Sequence, residues 1–143
     1  MRSMSFMRAG LALLAMLLLS AVATFGDTNG RDFAGFYSVH HTRVQGDHVR
    51  VTLNLQVHNN GTTDVRHAVI VLRQNTGLEL VGKTEPIVLL RSHDHVNLRQ
   101  QFTVSRREFE QWHTGGQPGL AIIYRARGKS WEKTITVTPK NGI

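Results

Sequence analysis

The chain predicts an all-β antiparallel sandwich of seven to eight short strands with one short helix. Three observations carry this. In residues 48–58, Val49, Val51, Leu53, Leu55 and Val57 alternate strictly with polar side chains, a period of two that suits a half-buried strand and no helix. Clusters of Asn, Gly, Ser, Asp and Pro then break the apolar runs at short intervals, the spacing of a sandwich. No period of 20–50 residues recurs, which excludes a repeat architecture.

The elements follow in order. Residues 33–44 form a first strand rich in aromatic rings (Phe33, Phe36, Tyr37), and residues 48–58 the second, ended by the turn residues Asn59, Asn60 and Gly61. Residues 65–74 (VRHAVIVLRQ) make a third strand, and residues 78–83 a short edge strand. Pro86 has no N–H to donate, so a strand over residues 87–90 begins at a sheet edge or just after a bulge. After a turn at residues 92–94, residues 95–104 alternate again, with Val96, Leu98, Phe102 and Val104 on one side. Gln100 falls on that apolar side and needs a partner or a place at the rim. Ser105 with Glu108 three residues later is a capping box. It opens a helix over Arg106–His113 that sets Phe109 and Trp112 on one face and stops at Gly115 and Gly116. Residues 118–126 and 130–138 complete a hairpin around Arg127, Gly128 and Lys129.

The first 23 residues read as a signal peptide: a basic start with Arg2 and Arg8, an apolar run AGLALLAMLLL, and a small-x-small end at Ala23. Cleavage near Ala23 implies a periplasmic or secreted protein of bacterial type, exported across the membrane and without a membrane anchor. Residues 24–32 are then a flexible tail and residues 33–139 one domain. Arg2 and Arg8 leave with the leader, so the rest of the chain carries 15 basic against 10 acidic residues. All four Met also lie in the leader, and the chain has no Cys. The folded part therefore holds no sulfur, which excludes disulfides, thiol nucleophiles, thiolate zinc, iron–sulfur and thioether copper. No cofactor is expected, and nucleic acid is not an expected partner of an exported protein.

Histidine is the unusual residue, with all eight outside the leader. Extended backbone through His93, Asp94 and His95 sets the two imidazoles on the same side, as a two-point Zn²⁺, Ni²⁺ or Cu²⁺ ligand requires. This makes a periplasmic metal-handling protein the alternative reading. There is no GxSxG or HExxH, and the carboxylates are dispersed, so no catalytic residues are assigned and an enzyme is not expected. Arg125, Arg127, Lys129 and Lys133 cluster in sequence around the last hairpin, near Tyr124 and Trp131, and could form an anion-binding tip.

The segment HVRVTLNLQVHNNGTTDVRHAVIVLRQ, with the later VNLRQQFTV, resembles the B–C hairpin and E strand of bacterial immunoglobulin-like domains. These include the cell-adhesion-related and fibronectin-III-like kinds. The resemblance spans roughly residues 49–138 and implies an immunoglobulin-like sandwich used for binding, adhesion or spacing, with no shared catalytic residues. The helix departs slightly from the pattern and falls at the E–F crossover. Two segments are apolar on both sides, where a one-sided sheet should not be: Val69 and Val71 oppose Ala68, Ile70 and Leu72, and Ala121 and Ile123 oppose Leu120, Ile122 and Tyr124. The resemblance makes these strands C and F, adjacent in the sheet. Val69, Val71, Ala121 and Ile123 then form one outer patch, covered by the helix or by a protein partner or second copy. The resulting expectation is a non-catalytic module for protein interaction or envelope-surface binding.

Overall fold

The computed structural model describes residues 32–75 and 79–140. The leader and all of the predicted tail except Asp32 lie outside the described residues. Among the described residues nine strands and one helix follow in order: β1 Phe33–Gln45, β2 His48–Asn59, β3 Val65–Arg73, β4 Leu80–Lys83, β5 Ile87–Leu90, β6 His95–Ser105, α1 Arg106–His113, β7 Gly119–Ala126, β8 Lys129–Thr134 and β9 Thr136–Pro139. The first sheet runs β6-β2-β1-β9, and the second runs β4-β3-β7-β8 with β5 also beside β3. All pairings are antiparallel except β1 with β9. The fold is an all-β sandwich, as the alternation implies.

The core lies between the sheets. Tyr37, Val51, Leu53, Leu55 and Phe102 enter it from the first sheet, and Ala68, Ile70, Leu72, Leu120 and Ile122 from the second. These are the apolar members of the period-two patterns, and burying them drives the sheets together. Gln100 is half-buried, and its amide donates to the Gln101 carbonyl oxygen at 3.3 Å, a rim position.

Local departures from plain alternation have visible causes. His67 takes left-handed backbone (φ 50°), so Val65 and Ala68, three residues apart, both turn inward. Their partner strand follows suit, with Ile87 and Leu90 buried opposite them. Between β4 and β5 the neighbour of β3 changes. There Thr84 exchanges bonds with Ile70: its N–H donates to the Ile70 carbonyl and its Oγ1 accepts from the Ile70 N–H. Pro86 stands just ahead of β5, at the edge position its missing N–H demands.

One sequence reading is corrected. Residues 130–138 are not a single strand of one hairpin. β8 pairs with β7 in the second sheet, and after Ile135 the chain crosses to the first sheet as β9. Nothing in the alternation marks this, because Ile135 and Val137 both stay in the shared core through the switch.

The helix forms where the capping box places it. Ser105 Oγ accepts from the Glu108 N–H at 3.1 Å. The reciprocal arm of the box is diverted: the Glu108 carboxylate instead takes the Asn75 N–H at 3.1 Å and the Trp112 Nε1–H at 3.4 Å. α1 lies against β6 and β2 and closes one end of the sandwich with Trp112. Among the described residues no helix is long and apolar enough to cross a membrane.

Candidate binding face

The predicted outer patch is real as a set of neighbours but is not open. Val69 pairs with Ile123 and Val71 with Ala121 across β3 and β7. Yet Val71 is 0% and Ala121 7% exposed, and Val69 and Ile123 are half-buried. Neither the helix nor a second chain is needed to explain this. Arg73, opposite Gly119, reaches across to Glu132, opposite Ile123, with Nη2 at 2.6 Å and Nε at 3.1 Å from one carboxylate oxygen. That register runs the ion pair diagonally across the position of Ala121, so a paired arginine and carboxylate lie over this side of the patch. Replacing Arg73 with Ala is therefore expected to lower stability by about 2 kcal/mol, less than a fully buried pair because both partners keep some solvent contact. Urea unfolding reads that loss. Sedimentation should shift toward larger species as the patch opens, and an unchanged midpoint with unchanged sedimentation would reject this account.

The basic hairpin does not assemble as the sequence suggests. Arg125 points to the outer side of the second sheet, in register with Ser130, and Arg127 sits in the turn with left-handed backbone. Lys129 is exposed at the start of β8. Lys133 instead pairs with Ile122, on the inward-facing side, and its ammonium donates to Asp32. Burial works to lower the Lys133 pKa, but the Asp32 and Tyr124 contacts outweigh it and hold the group above the usual lysine value. Burial pushes the Tyr124 phenol up. Lys133 thus ties Asp32 to the sandwich and is not part of a tip.

The histidines also part company. His93 adopts left-handed backbone (φ 61°) in its turn, so the extended geometry that would set it beside His95 does not hold there. His95 turns instead toward His58 on β2, the ring centroids 5.1 Å apart. Among the described residues no three His, Cys, Asp or Glu side chains gather to hold a metal ion.

What the register does assemble is the outer face of the first sheet. Reading across the strands, Arg43, Arg50 and Thr103 form one row, and His41, Thr52 and Gln101 the next. Then come Ser38, Asn54 and Arg99; Phe36, Gln56 and Asn97; and Ala34, His58 and His95. Many of these side chains hold one another. The Gln56 amide donates to Asn97 Oδ1 at 3.2 Å, the His58 Nε2 lies 3.2 Å from Gln56 Oε1, and the Arg99 Nε–H donates to Asn54 Oδ1 at 2.8 Å. Phe36, 42% exposed, sits edge-on to His58 with 6.2 Å between centroids. A groove of about 390 Å³ runs along this face, lined among others by Phe36, Asn54, Gln56, Asn97, Arg99 and Lys140. The alternation sets the β2 and β6 members of this face opposite the core-facing residues, and it assigns no side to those of β1. It lacks the register that turns them into a grid.

No family model matches the chain, and no curated protein matches it. Among solved structures it is similar to an exo-β-N-acetylglucosaminidase of the GH20 group from Vibrio harveyi, with 13% identity and a TM-score of 0.47. That match covers 76% of this chain and 18% of the enzyme, so the chain spans under a fifth of the enzyme's length. It is also similar to a protein from Archaeoglobus fulgidus (11% identity, TM-score 0.32, 67% of this chain and 90% of that one). A third is a β-sandwich protein from Clostridium difficile 630 (10%, TM-score 0.26, 71% and 78%). The activity in the enzyme's name belongs to that enzyme.

Proposed function

We propose that this chain is an exported, non-catalytic sandwich of the immunoglobulin-like kind that binds through the outer face of its first sheet. The strand pairing supports the fold part. β1, β2 and β6 associate as strands A, B and E do in that architecture, and β3, β7 and β8 as C, F and G, with β4 at the place of C′. The helix occupies the E–F crossover. The export part rests on the leader.

The single observation that carries the binding part is a contrast between the two outer faces. The second sheet closes its apolar patch with its own ion pair, whereas the first presents an open grid of amide, imidazole, guanidinium and aromatic groups. Strands that need only solubility can use Lys, Glu and Thr. An ordered amide network around an exposed Phe is what a ligand-facing surface requires. Metal handling by His93 and His95 has no third ligand among the described residues to support it.

Co-sedimentation with isolated bacterial cell envelopes tests the reading. The protein should pellet with envelopes, and a Phe36→Ala/Asn97→Ala variant that melts like the wild type should pellet far less. A Val88→Ser change at an exposed site on the other sheet should have no effect. Protein left in the supernatant, or a double variant that pellets as well as the wild type, rejects the proposed face.

A further inference from the structure

We infer that the ligand of this face is an acidic polysaccharide, its sugar rings lying along the groove and its carboxylate or sulfate groups on Arg43, Arg50 and Arg99; the inference rests on the binding-face reading above. The first observation is a complete absence of acid. None of β1, β2, β6 and β9 contains an Asp or a Glu, although the chain has ten. Elsewhere Arg73, Lys133 and Arg106 each meet a carboxylate, while surface arginines such as Arg66, Arg91 and Arg125 form no ion pair with a described carboxylate, so it is the grouping of charges without acid that sets this face apart. Here Arg43, Arg50 and Arg99 share one surface, with Lys140 at the groove, and none of these four is in an ion pair with a described carboxylate.

The second observation is local. Arg43 and Arg50 are direct cross-strand partners. Like charges placed opposite each other weaken a hairpin, so folding gives no reason for this pair. An anion between them removes the repulsion, and two guanidinium forks match planar carboxylate or sulfate groups.

The third is the chemistry between the charges. Asn54, Gln56, Asn97 and Gln101 can each donate and accept, which is what sugar hydroxyls need. Phe36 supplies one exposed ring against which the apolar side of a sugar can lie. A linear chain fits a flat grid that repeats along the strands, with charge toward the Arg43 end and the aromatic ring toward the other. Other polyanions fit less well. Single-stranded nucleic acid calls for successive stacking rings, and Phe36 is the one exposed large apolar side chain in these rows. The same scarcity of apolar side chains disfavours insertion into a lipid surface.

Affinity electrophoresis of the protein expressed from the full sequence provides the test, using native gels cast with polygalacturonate, dextran sulfate, or the neutral glycans dextran and pullulan. Retardation is expected in one or both acidic gels and not in the neutral ones, falling as salt rises. The acidic gel that retards more tells carboxylate from sulfate. Arg50→Gln and Arg99→Gln should each weaken it about tenfold, with circular dichroism unchanged because both side chains are at the surface. A Phe36→Ala variant should weaken it as well.

Equal retardation by neutral glycans overturns the acidic-ligand inference. So does tighter binding to an oligonucleotide or to phosphatidylglycerol vesicles than to either acidic glycan. Envelope pelleting without retardation in any gel also overturns it, while leaving the binding-face reading standing. Failure of both assays removes the two together.

Discussion

Gly35→Ala is expected to lose about 3 kcal/mol or more of stability, read as a drop in the urea midpoint. Gly35 lies in β1 with β2 on one side and β9 on the other, opposite Val57 and Val137. A methyl group there would stand 2.1 Å from the backbone carbonyl oxygen of Gln56. Side chains can turn away from such a clash, but a carbonyl held in the middle of a sheet cannot move without parting the strands. A glycine inside a strand often marks this kind of close backbone approach. A variant within about 0.5 kcal/mol of the wild type, the range of an ordinary surface change, would show that the sheet gives at this point.

Glu108→Ala is the second large effect, expected at about 2 kcal/mol. Glu108 is 4% exposed, and one of its oxygens receives the N–H of Asn75, just past the end of β3, as well as the Nε1–H of Trp112. Removing the carboxylate leaves the buried Trp112 Nε1–H without its acceptor, at roughly 1–3 kcal/mol, while the N–H of the exposed Asn75 can turn to water. Gln at this position keeps an acceptor oxygen and should recover most of the loss. The emission of Trp112, one of two tryptophans in the chain, should shift toward the red in the Ala variant as the helix loosens. If the midpoint and the emission both stay put, the helix is held by its apolar contacts alone.

Much of the fold was legible because its signals are local. The alternation over β2 and β6 and the Ser105–Glu108 cap each lie within a short run of residues, and all three elements formed where those signals placed them. The site was less legible because its signals are not local. Arg73 and Glu132 are far apart in the chain, and only the β3–β7–β8 register brings them together over Ala121. Without that pairing, Val71 reads as an exposed valine and the patch as an open surface. The same holds for the first sheet. That Phe36 joins Gln56 and Asn97 depends on the shift in register between Val39 and His41, which no residue type announces, whereas Arg43 faces Arg50 by plain counting back from the turn at Gly46 and Asp47. The two wrong groupings, His93 with His95 and Lys133 with Arg125, came from treating nearness in sequence as nearness in space. A left-handed residue undid the first and strand alternation the second.

The crossing from β8 to β9 has a mechanical consequence. β1 and β9 run parallel, Ala34 beside Thr136 and Tyr37 beside Pro139, so the chain enters this four-residue pair at one end and leaves it at the other. A pull between the two ends of the domain therefore loads the β1–β9 hydrogen bonds sideways and all at once, where a hairpin would unzip them one by one. The proposed binding to a fixed polymer would put this domain under tension, and the parallel pairing of the first and last described strands is the arrangement that resists it by shear.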